Sequence, residues 1–230
     1  MESLRLVYKE VTMSQWNIAA AQYAPRHNCI DAHVQHHLRF INAAARQQCN
    51  LLVFPELSLT GPAVDGATLP ESPNEQALAP LVEAAQSLSI TVIAGITVET
   101  GAERQKGLAL FSPNQAQVLR YLQGSGACLT PGNPHLTIVE GPTERISLDP
   151  QAALFTCSQA VGETGCRNSI GRLQRLAHKY AITVLMANSH GHSALWDSSG
   201  QLIVRADGGE LLLTGTWGKQ GWQGDIIPLR

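Results

Sequence analysis

The feature that most constrains the fold of this chain is a series of short apolar runs separated by stretches of helical periodicity. WNIAAAQ (16–22), NLLVF (50–54) and ITVIAGITV (90–98) have the length and apolar content of buried strands, and the last is rich in β-branched residues. Between them, apolar residues recur at helical spacing over 31–48 and 75–88. Strands that alternate with amphipathic helices in this way predict a layered α/β fold.

The second half of the chain favours hairpins with one further helix. Residues 108–122 predict two strands around a Pro-Asn turn, 136–148 predict another pair, and 152–157 predict a short buried strand. A helix is predicted over 168–180, before the buried strand ITVLMAN (182–188). Ser-Gly and Gly-Gly turns then indicate further hairpins. The sheets are therefore expected to be mixed.

Charge, hydropathy and cysteine usage narrow the class of protein. The 16 basic and 18 acidic residues leave no excess positive charge for nucleic acid, and no apolar run approaches the roughly 18 residues of a membrane span. Five scattered cysteines without a C-x-x-C pair indicate reduced thiols. We expect a cytoplasmic protein with an N-terminal extension (1–12) and a single domain (13–230). The sequence contains no cofactor motif, and no metal site is predicted.

Glu56 is the first candidate catalytic residue. It directly follows Pro55, where the predicted strand at 50–54 ends, and ligands of open α/β sheets bind at this end of the strands. A carboxylate beside Phe54 and Leu57 should be partly desolvated, which suits a general base. The alternative is a glutamate that only hydrogen-bonds its own loop.

An ordered series of motifs resembles the nitrilase, or carbon–nitrogen hydrolase, superfamily. The matching pieces cover most of the chain from Met13 to about residue 215; they are IAAAQYAP, INAAARQQ, LLVFPELSLTG, ITVIAGITVE, GLALFSPNQAQVLRYL, the Pro-Gly pair at 131–132, and ITVLMANSHG followed by SALWDSSGQLIV. The resemblance implies an α-β-β-α sandwich of two stacked mixed sheets flanked by helices. It also implies hydrolysis of small amides or nitriles and association into a homodimer or larger oligomer.

The resemblance implies a catalytic triad of Glu, Lys and Cys. The glutamate is the base, the thiolate attacks the nitrile or amide carbon, and the lysine stabilises the tetrahedral intermediate. Glu56 matches the first position, but Gln123 stands at or near the lysine position. None of the four lysines is expected to replace it, since Lys106 precedes the predicted strand at 108. Arg120 is a conceivable substitute.

The cysteine turn of the family is not found. The predicted strand ERISL is followed at once by Asp149-Pro150-Gln151 and AALFTC, so the turn and its helix, about 20 residues by comparison with a strand–helix–strand crossover, are absent. In one interpretation Cys157 is a displaced nucleophile; in the other, which we favour, it is an ordinary buried thiol.

Two further cysteines are weaker candidates for the nucleophile. Cys166 lies in a Gly-rich turn before a predicted helix, where a thiol pKa would fall, but no base is visibly paired with it. Cys128, in GSGACLTPG, occupies a shortened loop and is expected to be structural.

Several histidines are expected to have no catalytic role. His33, His36 and His37 share one polar face of the first helix, so solvated side chains are expected rather than metal ligands. His190 and His192 follow the strand at 182–188, at the rim of a site or in an ordinary loop.

Two hypotheses of function follow. The first is an active small-amide hydrolase with Glu56 as the base and Cys157 as the displaced nucleophile. The second is a homologue with weak or absent activity that survives as a binding or oligomer-forming protein. No cation is expected to face Glu56, and Cys157 is expected to be distant from it or turned away.

Overall fold

The computed structural model of the protein describes residues 16–64, 66–123, 128–129, 138–139 and 154–229. Within them the chain forms thirteen strands and three helices. The first half contains β1 (Asn17–Gln22), α1 (Ile30–Arg46), β2 (Leu51–Val53), α2 (Glu75–Ser87), β3 (Thr91–Thr100), β4 (Glu103–Phe111) and β5 (Leu119–Leu122). The second half contains β6 (Cys128–Leu129), β7 (Ile138–Val139), β8 (Leu154–Gln159), α3 (Glu163–Tyr180), β9 (Thr183–Asn188), β10 (Ala194–Trp196), β11 (Leu202–Arg205), β12 (Leu211–Gly218) and β13 (Gly221–Pro228).

The strands form two mixed sheets. The first has the order β13-β12-β1-β2-β3-β4-β5, in which β1, β2 and β3 are parallel to one another and the other neighbours are antiparallel. The second has the order β11-β10-β9-β8-β7-β6, with β7, β8 and β9 parallel. The parallel strands lie at the centre of both sheets, where strands are buried on both faces.

Side-chain alternation along the strands divides the core into three layers. Ala19 and Ala21 of β1 face α1 and α2, whereas Ile18 and Ala20 face the second sheet. The layer between the sheets contains Leu51, Val53, Ile93, Leu108, Leu154, Leu185 and Leu195. A third layer packs α3 against the outer face of the second sheet, with Phe155, Leu173, Leu176, Met186 and Trp196. The result is helices, sheet, sheet, helix: the predicted α-β-β-α sandwich, with all three predicted helices on the outside.

Some predicted boundaries differ from the structure. The helix predicted over 168–180 begins at Glu163, so the Gly-rich segment before it is the first turn of α3. The strand predicted from 108 begins at Glu103, as part of a long hairpin with β3. The chain path from 148 to 152 lies outside the described residues, as do most of the pair predicted at 136–148 and the extension at 1–12. None of the described helices has the length and hydropathy that crossing a bilayer requires.

Candidate active site

Glu56 lies in a tight turn that follows β2. The turn is placed by backbone hydrogen bonds to β3: the Phe54 N–H donates to the Ile93 carbonyl, and the Leu59 N–H donates to the carbonyl of Gly95 at 2.9 Å. Leu57, immediately after Glu56, is buried and has a φ of 52°, which a non-glycine residue adopts only when its surroundings hold it there.

Gly95 is required for this arrangement. A Cβ atom at Gly95 would lie 2.3 Å from the Leu57 nitrogen and 2.4 Å from the Pro55 oxygen, well inside van der Waals contact. Only a residue without a side chain lets β3 approach the turn this closely. The position of Glu56 therefore depends on a glycine in the neighbouring strand.

A buried histidine supports the same turn. The Nδ1 atom of His37 lies 2.8 Å from the His33 carbonyl, so Nδ1 carries the proton and Nε2 accepts a hydrogen bond. The Ser58 hydroxyl donates to Nε2 at 3.1 Å, and Ser58 Oγ in turn accepts the Gly95 N–H at 3.2 Å. The ring of His37 stacks on Phe54, with 4.1 Å between the ring centroids. This series of hydrogen bonds connects α1, the Glu56 turn and β3.

The expectation of solvated histidines on α1 was therefore wrong for two of the three. His37 is fully buried and His33 is 4% exposed. Burial lowers the pKa of His37 to about 3 and also lowers the pKa of His33, so both rings are neutral at pH 7. His36 is partly buried and lies 2.9 Å from a Glu210 carboxylate oxygen. The prediction failed because this face of α1 packs on the turn that contains Glu56 instead of facing water.

Both carboxylate oxygens of Glu56 have nitrogen partners. Lys106 Nζ lies 2.6 Å from Oε1, and the Gln123 side-chain amide donates to Oε2 at 3.2 Å. The same amide donates to the Ser158 carbonyl of the second sheet, also at 3.2 Å. Glu56 is 18% exposed and Lys106 is 48% exposed, so the ion pair borders on solvent. Gln123, at or near the position that the resemblance assigns to lysine, does reach the carboxylate.

The expectation that no cation faces Glu56 was wrong. Because β4 begins at Glu103, Lys106 is a strand residue and lies on the same face as Leu108 and Leu110, which pack between the sheets. The Gln123 N–H donates to the Lys106 carbonyl, which brings the two Glu56 partners side by side. The segment ERQKGLALF has four exposed polar residues followed by five buried ones, so its sequence did not mark the start of the strand. Arg120, the substitute considered, instead contacts Glu75, Ser72 and Pro73 at the start of α2.

A cavity of about 430 Å³ opens beside Glu56. Most of its lining is small and apolar, and the polar side chains of Glu56, Lys106, Ser189 and His190 lie among this lining. The apolar part consists of Ala24, Pro25, Leu57, Pro62, Ala63, Gly66, Ala67, Leu69 and Ala160. This size and mixture suit a small organic molecule with one polar group. Of the two histidines after β9, His190 thus lies at the rim of the site.

Cys157 lies on the other face of its strand. The side chains of Phe155 and Cys157 pack in the layer beneath α3, with Leu173 and Met186 as neighbours. Leu154, at an alternate position of the same strand, packs in the layer between the sheets instead. Strand alternation therefore turns the thiol toward α3, and Cys157 is not among the residues that line the cavity.

None of the other cysteines whose side chains the structure describes has its thiol in the cavity beside Glu56. Cys166 is the fourth residue of α3 and is 2% exposed, and burial raises the pKa of its thiol. Its expected location in a turn before the helix was wrong. Cys49 is in the core beneath α1, and exposed Cys29 is the residue before that helix. The side chain of Cys128 lies outside the described residues. Among the cysteines whose side chains are described, none lines the cavity.

Comparison with known proteins gives one family match. Residues 17–123 match the family model of carbon-nitrogen hydrolases. This stretch contains the Glu56 turn, Lys106 and Gln123, and most of the first sheet.

Solved structures share the fold over most of the chain. Glutamine-dependent NAD+ synthetase from Acinetobacter baumannii is 18% identical, with a TM-score of 0.73 over 94% of this chain and 49% of the synthetase chain. This chain thus spans about half the length of that protein. Nit3 from Saccharomyces cerevisiae, a member of branch 10 of the nitrilase superfamily, is 16% identical, with a TM-score of 0.71 over 90% of this chain and 91% of Nit3. A mutant of the amidase from Nesterenkonia sp. AN1 in complex with butyramide is 17% identical, with a TM-score of 0.67 over 86% and 89% of the two chains. At these identities the likeness shows the fold.

Proposed function

We propose that this chain, whose residues 17–123 match the carbon-nitrogen hydrolase family model, binds a small amide in its Glu56 cavity and that thiol-dependent hydrolysis of the amide is weak or absent. The observation that carries the proposal is the orientation of Cys157, whose side chain packs beneath α3 and is not among the residues that line the cavity. A thiol that cannot reach the substrate carbon cannot form the acyl intermediate.

The binding half of the proposal rests on the cavity. Its small apolar lining fits a short aliphatic chain, and the Lys106 ammonium can donate a hydrogen bond to a carbonyl oxygen. Glu56 can accept from an amide N–H, since a carboxylate has about four lone-pair sites and its two nitrogen partners occupy only some of them. A primary amide offers a carbonyl and an N–H together, so it complements this pair.

We expect weak amide hydrolysis because catalytic groups that act together lose most of their effect when one of them is missing. In a hydrolase whose nucleophile, base and orienting group act as a unit, loss of the nucleophile alone lowers kcat by about a millionfold. The Glu56–Lys106–Gln123 cluster retains a carboxylate and a cation, but these groups only assist an attacking atom. The alternative is an active amide hydrolase in which Cys157 swings to the cavity as a displaced nucleophile.

Butyramide is a suitable probe, because it is the amide bound by the structurally similar amidase mutant. Calorimetric or ligand-detected NMR titration of the full chain should show millimolar or tighter binding. Glu56→Gln should weaken binding at least tenfold. Glu99→Gln, which changes an exposed carboxylate of β3 outside the cavity lining, is the matched control and should bind like the wild type. Ammonia release should stay near the rate without protein.

Two results would contradict the proposal. Saturable ammonia release that Cys157→Ala abolishes would establish the displaced nucleophile and the active hydrolase. No detectable butyramide binding up to its solubility limit, with Glu56→Gln and Glu99→Gln indistinguishable from the wild type, would reject the amide-binding cavity.

A further inference from the structure

Ser189 and His190 form a hydroxyl–imidazole pair in the wall of the Glu56 cavity. They directly follow β9, and the Ser189 Oγ atom lies 2.7 Å from the His190 Nδ1 atom. Both residues line the cavity. Ser189 is 3% exposed, whereas His190 is exposed at the rim. In the tautomer with the proton on Nε2, the Ser189 hydroxyl donates to Nδ1, which is the arrangement of a nucleophile with its base.

One backbone oxygen places this pair next to Glu56. The Gln159 carbonyl, at the end of β8, accepts the N–H of Ser189 at 3.1 Å and the N–H of Glu56 at 3.4 Å. The N–H groups of Glu56, which follows β2 of the first sheet, and of Ser189, which follows β9 of the second sheet, therefore share one acceptor. The cavity that Glu56 and Lys106 line thus also contains a hydroxyl with an adjacent acceptor for its proton.

We propose that Ser189 is a nucleophile in this cavity, with His190 as its base, and that the pair hydrolyses small activated esters. This goes beyond the amide function, and it rests on the proposed function only in requiring that a small molecule enters the cavity. It needs no thiol.

The steps balance without a further reactant besides water. Ser189 Oγ bonds to the carbonyl carbon of the ester while its proton passes to His190 Nδ1. The bond to the leaving alcohol then breaks, and the alcohol departs with that proton. Water then attacks the acyl carbon while His190 takes a proton from the water. The bond between the acyl carbon and Ser189 Oγ breaks, His190 returns the proton to Oγ, and the carboxylic acid leaves. The Lys106 ammonium of the same cavity supplies positive charge near the developing oxyanion.

A fluorophosphonate probe tests the pair, because it phosphonylates activated serines. The wild-type protein should gain one adduct, which peptide mass spectrometry should locate on Ser189. Ser189→Ala should abolish this adduct, whereas Cys157→Ala should label at the wild-type rate. His190→Ala should lower the labelling rate about 100-fold, the usual contribution of a general base. Added imidazole should restore part of that rate, since the position is open to solvent; a histidine with only a structural role would show no such rescue.

His178→Ala is the matched control. His178 is an exposed histidine on α3 whose Nδ1 lies 3.0 Å from the Ser199 carbonyl, outside the cavity lining. It should label at the wild-type rate. No adduct on the wild type, or an adduct on another residue, would overturn the proposal whether or not Ser189→Ala folds. An unchanged rate in His190→Ala would overturn the role of the base. Butyramide titration is a separate measurement, so the amide proposal can fail while Ser189 is still labelled.

Discussion

Replacement of Gly95 by alanine should destabilise the protein through a direct backbone clash. The added Cβ would lie 2.3 Å from the Leu57 nitrogen and 2.4 Å from the Pro55 oxygen, about 1 Å closer than ordinary contact. Overpacking of this kind costs about 1–3 kcal/mol, and the upper part of that range is expected because the obstacles are main-chain atoms. The reduced entropy of the unfolded chain returns about 0.4–1 kcal/mol. We expect a net loss of about 2 kcal/mol in the free energy of unfolding.

Urea denaturation and thermal melting measure this effect. For a chain of this size a loss of about 2 kcal/mol lowers the Tm by roughly 4–8 °C. Gly208→Ala is the control, because a Cβ there meets no atom within 4 Å, and its unfolding free energy should change by less than about 1 kcal/mol. Equal midpoints for the two variants would refute the argument that β3 must carry a glycine to hold the Glu56 turn.

Three further predictions concern other parts of the molecule. Burial holds the pKa of His37 at about 3, so only the unfolded chain takes up this proton between pH 6.5 and 3. Its contribution to stability is intact above pH 6.5 and falls by about 1.4 kcal/mol on going to pH 5.5. The urea midpoint should show this slope, and an equal slope in His37→Gln would contradict the assignment. Iodoacetamide at neutral pH should modify exposed Cys29 before Cys157; rapid, selective modification of Cys157 that Glu56→Gln abolishes would restore the thiol mechanism. Exposed Leu202 and Ile226 on strands at the sheet edges favour a homodimer or larger oligomer, and light scattering that finds only monomer would argue against it.

The layered fold could be predicted because its signals are local. The apolar runs that became β1, β3 and β9 are almost fully buried, and the helical spacing of apolar residues marked the three helices. The location of Glu56 beside a cavity could be predicted for a similar reason: it follows a buried strand directly, and the carboxyl ends of such strands meet at one edge of the sheet.

The partners of Glu56 were harder to predict because they depend on strand register. Lys106 was assigned to a segment before its strand, and only the pairing of Gly107 with Leu122 brings it beside Gln123. His37 was assigned to a solvated face because the turn that covers it comes twenty-one residues later, at Ser58. The orientation of Cys157, by contrast, followed from alternation along β8 once the bounds of that strand were known.

The two hydrogen bonds that cross between the sheets at the site couple its shape to the stacking of the whole sandwich. The Glu56 N–H donates to the Gln159 carbonyl and the Gln123 side chain donates to the Ser158 carbonyl, so each sheet supplies one partner of both hydrogen bonds. Leu195 lies in the layer between the sheets, away from the site. A substitution there that shifts one sheet relative to the other would therefore alter ligand affinity before it unfolds the protein. The amide protons of Glu56 and Ser189 would report such sliding together in hydrogen exchange, since both are protected by the same oxygen.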